Sequence, residues 1–288
     1  MSIQINNKIY QAIIFDVDDT LIDTSKSYDE AIKRTVKNYA HVSVSNEQIS
    51  LVRSYGISYG VNNDWNVTWV LIQLVKHFSS EPWETILTHQ RLDEIKPKSA
   101  EYLEITDFFQ NIYLGKPDFN GQGLIDIAEE KMYKDNFFPT LKKLGVRIAV
   151  VTSRPTVEAL HTLKNVNGLL DEFIESEHFV ISTGSKNTKD QLIAEKPSPE
   201  PILECVKRLK VKVKDSVYIG NSTSDYIASR DAGVDFIQVG TSKIERSNEA
   251  KEFNYFKFDS VNDIMIGTLG QPQGIAPTNH HSSLYTNI

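Results

Sequence analysis

Cysteine is nearly missing from these 288 residues. Cys205 is the single one, so no intrachain disulfide can form, and its setting in Ile202-Leu203-Glu204-Cys205-Val206 marks a small core residue rather than a nucleophile. Basic runs are also lacking, and the formal net charge is -7, which argues against nucleic acid as a partner. No uninterrupted apolar stretch approaches the roughly eighteen residues that would span a bilayer. The opening residues, Met1 to Lys8, have neither the basic nor the apolar region of a signal peptide, so a soluble, cytoplasmic protein with no membrane partner is expected. With 40% hydrophobic residues the chain can bury a sizeable core, as one large domain or two smaller ones.

Negative charge, by contrast, is concentrated at one strand end. The apolar β-type run Ala12 to Phe15 stops abruptly in Asp16, Val17, Asp18, Asp19 and Thr20. Three carboxylates this close repel one another and raise at least one pKa, so the cluster makes sense if a divalent cation, Mg²⁺, neutralises it. An acidic loop can also be a turn or a helix N-cap. Three further segments bear on the choice. The β-branched run Val146 to Val151 ends in Thr152 and Ser153, followed by Arg154 and Pro155. Lys196 stands just before the proline-opened helix pattern that begins at Pro197. The strand pattern Ser216 to Ile219 runs into Gly220, where the backbone can turn tightly, and Asn221 and Asp225 follow at positions that could face the acidic cluster. Taken singly, Thr152-Ser153 is an ordinary helix N-cap and Lys196 a solvated surface lysine. Their order, each after a strand, resembles the four signature motifs of the haloacid dehalogenase superfamily.

The resemblance covers Ile9 to about Ile266 and implies a phosphatase working through an aspartyl-phosphate on a small phosphorylated metabolite. By it, Asp16 is the nucleophile and Asp18 the acid and base. Thr152 and Lys196 hold phosphoryl oxygens, Ser153 contacts the substrate, and Asp16, Asp18 (through its backbone carbonyl), Asn221 and Asp225 hold Mg²⁺. The fourth motif departs from the family's usual Gly-Asp-x-x-x-Asp, because Asn221 occupies the position of the main metal-binding Asp. An amide oxygen is a legitimate ligand but brings no charge, so weaker Mg²⁺ binding is expected. Asp18 counts against dehalogenating relatives, which lack this second Asp and the metal. A phosphotransferase or phosphomutase would use the same residues and stays open, as does a non-catalytic homologue that binds phosphometabolites. The sequence does not give the oligomeric state.

The gap from Asp16 to Thr152 is several times longer than those separating Thr152, Lys196 and Asn221, and far longer than a βα step requires. Helix signals fill it: Ser27 to Tyr39, Ser45 to Tyr55 with a capping box opening on Ser45, Asn66 to Phe78, Trp83 to Ile95 and Ser99 to Leu114. Outside the gap, strands are expected at Gln11 to Phe15, Arg147 to Val151, Phe179 to Ser182, Val217 to Ile219, Phe236 to Val239 and Tyr255 to Phe258, with helices between them. This alternation predicts an α/β fold, a doubly wound parallel sheet carrying its motif loops at the carboxyl ends of the strands. The expected domains are an α/β core, residues 1–25 and 136–266, and an all-helical insert, residues 26–135, that resembles the family's cap. The active site would be the crevice between them. From 267 to 288 the composition shifts to Gly, Pro, Gln, Thr, Asn and Ser, a disordered tail in which His280 and His281 are incidental. Within the insert, the polar and aromatic turn Ser58 to Trp65 makes Asn63 and Trp65 candidate substrate contacts. On the alternative reading, Asn63 or Asp64 caps the next helix and Trp65 packs inside.

Overall fold

The computed structural model describes residues 2–6, 8–59, 63–87, 100–115, 120–244 and 253–264. The chain forms two compact units, one of Met1–Leu21 with Met132–Ile288 and the other of Ile22–Lys131.

The first unit opens with an antiparallel hairpin of β1 (Ile3–Ile5) and β2 (Lys8–Tyr10), strands too short to leave a period in the sequence. β3 (Ala12–Phe15) follows, and all four of its side chains are buried, as in a strand covered on both faces. β4 (Ile22–Asp23) and β5 (Glu130–Lys131) pair as a short antiparallel ribbon at the two ends of the second unit. The first unit then continues with β6 (Arg147–Pro155), β7 (Val180–Thr183), β8 (Ser216–Gly220), β9 (Asp235–Val239) and β10 (Tyr255–Phe258). All six strands from the sequence pattern are present, joined into one parallel sheet in the order β10-β9-β8-β3-β6-β7. The chain winds outward from β3 through β6 to β7, then returns to β8 on the other side of β3 and winds outward again. The reversal puts a topological switch point at β3, and the carboxyl ends of β3, β6 and β8 lie side by side there.

Helices flank the sheet, and period-2 alternation decides what they cover. Ala12 and Ile14 of β3 share a cluster with Ala149 and Val151 of β6, Tyr218 of β8 and Phe236 of β9. The helix Glu200–Leu209 adds Ile202, Cys205, Val206 and Leu209 to it, so the lone cysteine is a buried core residue. Each such aliphatic side chain contributes roughly 1.5–3 kcal/mol by leaving water.

The second unit has its own core. Helices Tyr28–Ala40, Asn46–Tyr59, Asp64–His77 and Ala100–Leu114 enclose Ile32, Val36, Val52, Val70, Leu71, Ile105 and Phe109. The predicted capping box is formed, with Ser45 N donating to Gln48 Oε1 at 2.9 Å and Gln48 N to Ser45 Oγ at 3.3 Å. Arg53 ties two other helix starts together, donating to Asp29 Oδ1 at 2.6 Å and to Asp64 Oδ1 at 2.7 Å. The helix expected from Trp83 is a single turn, Trp83–Ile86, and the rest of its expected span, 88–95, lies outside the described residues, as do the expected tail and His280 and His281. Among the described residues no helix is long and apolar enough to cross a membrane.

Candidate active site

Asp16 begins where β3 ends, and its N–H donates to Ile219 O of β8 at 2.8 Å, which fixes the first loop against the neighbouring strand. Asp19 turns the chain with a φ of 52°, a left-handed conformation that Asp tolerates better than most residues.

At the end of β8 the site is built by a helix cap. Ser222 is the N-cap of the helix Thr223–Ala232, and Asp225, in its first turn, folds its carboxylate back. Oδ2 accepts from Asn221 N at 3.2 Å, Ser222 N at 3.0 Å and Ser222 Oγ at 2.6 Å, while Ser222 Oγ accepts from Asp225 N at 3.2 Å. The carboxylate sits so close to β8 that a Cβ at Gly220 would come within 2.7 Å of it, which explains the glycine. The other oxygen, Oδ1, accepts from Lys196 Nζ at 2.5 Å and is 2.9 Å from Tyr218 OH.

Lys196 closes the set. Its ammonium donates to Asp16 Oδ1 at 2.8 Å, Asp225 Oδ1 at 2.5 Å and Tyr218 OH at 3.1 Å, three acceptors for three N–H groups. Tyr218 OH also has Val151 O at 3.0 Å, so this phenol links β6, β8 and the lysine. All four side chains are buried.

One ammonium between two buried carboxylates leaves a shortage of positive charge. Burial pushes the Asp16 carboxyl up, Asp225 and Asp18 add to the rise, and Lys196 only partly opposes it, so the carboxyl is held well above its ordinary range. Burial acts on Asp225 too, but Lys196 and the Ser222 hydrogen bonds outweigh it and hold that carboxyl below its ordinary range. Lys196 and Asp225 are thus the settled ion pair, and Asp16 is the carboxylate whose charge is poorly compensated.

The end of β6 supplies the third edge. Its register against β7 shifts between Val151 and Pro155, and this irregularity re-aims the residues between them. Thr152 lines one small cavity together with Lys196, and Thr152 Oγ1 accepts from Arg154 N at 3.2 Å. Ser153 is exposed, and its carbonyl accepts from Thr183 Oγ1 at 2.9 Å. Arg154 is buried, and its Nε and Nη2 each lie 2.6 Å from Asp18 Oδ1. The sequence reading assigns no role to Arg154 or Tyr218. A signal exists for Arg154, which shares strand parity with the buried Ile148 and Val150, an unusual place for a charge.

Among the described residues no three His, Cys, Asp or Glu side chains converge on a metal position. The oxygen donors that remain suit a hard cation nonetheless. Asp16 Oδ2 and the side-chain amide of Asn221 accept no hydrogen bond among the described residues, and the site lacks positive charge. Asn63 and Trp65 belong to the second unit. Asn63 Oδ1 accepts from Asn66 N at 2.8 Å and caps the helix Asp64–His77, and Trp65 is half-buried against that unit's core. Gly60, Val61 and Asn62 of the same turn lie outside the described residues.

The chain also resembles known proteins in sequence and fold. A family model for haloacid dehalogenase-like hydrolases matches residues 10–233. A phosphoglycolate phosphatase of Colwellia psychrerythraea is 22% identical over 264 residues, covering 89% of this chain and 96% of the relative. An imidazoleglycerol-phosphate dehydratase of Phytophthora nicotianae is 28% identical over 225 residues, which is 77% of this chain but only 42% of that longer protein. Among solved structures, phosphatase Tt82 of Thermococcus thioreducens has the same fold, with a TM-score of 0.59 at 22% identity over 87% of this chain and 95% of that one.

Proposed function

The chain belongs to the haloacid dehalogenase-like hydrolase family, and on that premise we propose that it is a Mg²⁺-dependent phosphatase acting on a small phosphorylated metabolite. The reaction would run through an aspartyl-phosphate on Asp16. The observation that carries this reading is the buried group of Asp16, Lys196 and Asp225 at the switch point of the sheet, with Asp16 short of compensating charge.

Asp16 attacks phosphorus while the leaving oxygen departs on the opposite side. Asp18 gives that oxygen a proton and later takes one from the water that hydrolyses the phosphoenzyme, assistance worth about 10²–10⁴-fold. Thr152 Oγ1 already accepts the Arg154 N–H, so its own O–H is left to donate to a phosphoryl oxygen. Lys196 offers its ammonium to the same group by exchanging one of its three present acceptors. Ser153 contacts the substrate. Asp16, the backbone carbonyl of Asp18 and Asn221 would hold Mg²⁺, whereas Asp225, expected from the sequence as a further ligand, has both oxygens engaged by Lys196, Tyr218 and Ser222 and would instead orient Asn221 through the main-chain N–H it accepts. When bound, the cation supplies the positive charge that lets two anions approach. Asn63 and Trp65 are proposed as substrate contacts, to be judged by whether replacing Trp65 changes relative rates among esters at an unchanged melting temperature.

Hydrolysis of a generic phosphomonoester with and without Mg²⁺ tests the reading. Metal-dependent release of inorganic phosphate is expected, and a panel of phosphorylated metabolites then identifies the substrate. Phosphoryl transfer to a sugar phosphate without net release would make the protein a phosphotransferase or mutase instead.

A further inference from the structure

We infer that Arg154 is a positioning residue for Asp18: its guanidinium grips one oxygen of that carboxylate and thereby presents the other to the leaving group. The inference rests on the phosphatase reading, in which Asp18 handles the protons. Nε and Nη2 of Arg154 converge on Asp18 Oδ1, each at 2.6 Å. A proton on Oδ1 would point into those donors, so the proton that Asp18 delivers must ride on Oδ2, which accepts no hydrogen bond among the described residues.

The grip is itself anchored. Arg154 is 1% exposed, and its Nη1 donates to the buried Thr162 Oγ1 at 2.6 Å in the π-helical turn Thr162–Val166. Its main-chain N–H meanwhile holds Thr152 Oγ1. One residue thus orients the hydroxyl of the second motif and the carboxylate of the first, although Asp18 stands 136 positions away in sequence. A planar, permanently charged fork suits this task, whereas a lysine offers a point charge that cannot meet both Asp18 and Thr162 in the same geometry.

In the step concerned, an Asp16 oxygen bonds to phosphorus as the bond between phosphorus and the leaving oxygen breaks with its electron pair staying on that oxygen, and Oδ2 of Asp18 gives the leaving oxygen its proton. Water later bonds to phosphorus, the bond from Asp16 breaks, and the water's proton returns to Oδ2. Alkyl esters, whose alkoxides are poor leaving groups, depend on this proton, and aryl esters depend on it little.

The test compares an alkyl and an aryl phosphomonoester for the wild type, Arg154→Lys, Arg154→Met, Asp18→Asn and the double variant Asp18→Asn/Arg154→Met. Arg154→Met should lose about tenfold or more on the alkyl ester and less than about threefold on the aryl ester, with Arg154→Lys between. With Asp18→Asn present, Arg154→Met should not move the alkyl-to-aryl ratio further. In the metal-free proteins the melting shifts of Asp18→Asn and Arg154→Met should be non-additive. Equal losses on both esters, or a ratio shift that persists without the Asp18 carboxylate, would overturn the inference. If Arg154→Met does not fold, Arg154→Lys decides it by the same ratio. A wild type that cleaves neither ester would overturn the phosphatase reading beneath it.

Discussion

Lys196 and Asp16 form a buried ion pair, with Nζ 2.8 Å from Oδ1 and side-chain exposures of only 4% and 8%. The same ammonium serves Asp225 at 2.5 Å, so one cation answers two carboxylates. Its removal should be costly. Lys196→Met would leave the Asp225 carboxylate buried without its cation and beside Asp16, and breaking such a pair destabilises by about 3–5 kcal/mol. At acid pH a proton can replace the lost charge, so the deficit in metal-free protein should be smaller at about pH 5 than at about pH 7.5. Denaturant unfolding of both proteins at the two pH values measures this, and an equal deficit at both would contradict the pairing.

Asp235 fastens the N-terminal hairpin to β9. It accepts from Lys8 Nζ at 2.6 Å, Tyr10 OH at 2.7 Å, and Asn254 N and Nδ2 at 2.9 and 3.0 Å. Burial would raise its pKa, but the Asn254, Lys8 and Tyr10 hydrogen bonds outweigh burial and hold it below the ordinary carboxylate range. A depressed pKa stabilises the fold above the unfolded value, about 3.9, and that stability is lost as pH falls through the lower folded value. The stability gap between wild type and Asp235→Asn should therefore be level near neutrality and shrink below about pH 4. A gap that widens with acid would reverse the assigned sign.

How far the site was legible depends on how local each cue is. β3, β6 and β8 announce themselves because apolar runs end abruptly at Asp16, Thr152 and Gly220. β1, β2, β4 and β5, at two or three residues each, are too short to carry a period. Asp225 is expected from the sequence as a site residue only, and the fold shows the same carboxylate also closing the capping box of Ser222. Tyr218 reads as one more apolar position in Val217-Tyr218-Ile219, and only the sheet brings its hydroxyl to Lys196. Arg154 betrays itself only by its strand parity, and the role of its charge is hidden because its partner Asp18 lies across the whole insert.

In the proposed metal shell Asn221 would contribute an oxygen without a charge. Under the proposed function the native protein should need more Mg²⁺ for half-maximal activity than Asn221→Asp, and Asn221→Ala should need more still. Crowding with Asp16 opposes part of the gain in Asn221→Asp, so a shift of about tenfold or less is expected there. Titrating activity against Mg²⁺ for the three proteins gives the order, and an unchanged requirement in both variants would remove position 221 from the metal shell.

The most direct measurement asks where the phosphoryl group goes. The protein is mixed with a phosphomonoester and Mg²⁺, quenched in acid during turnover, and its peptides are mapped by mass. The account predicts one phosphoryl group on the peptide containing Asp16, and in Asp16→Asn both that adduct and turnover are lost, because an amide is too weak a nucleophile. Turnover with the phosphoryl group on another residue, or an Asp16→Asn variant that keeps about a tenth of the wild-type rate, would contradict it.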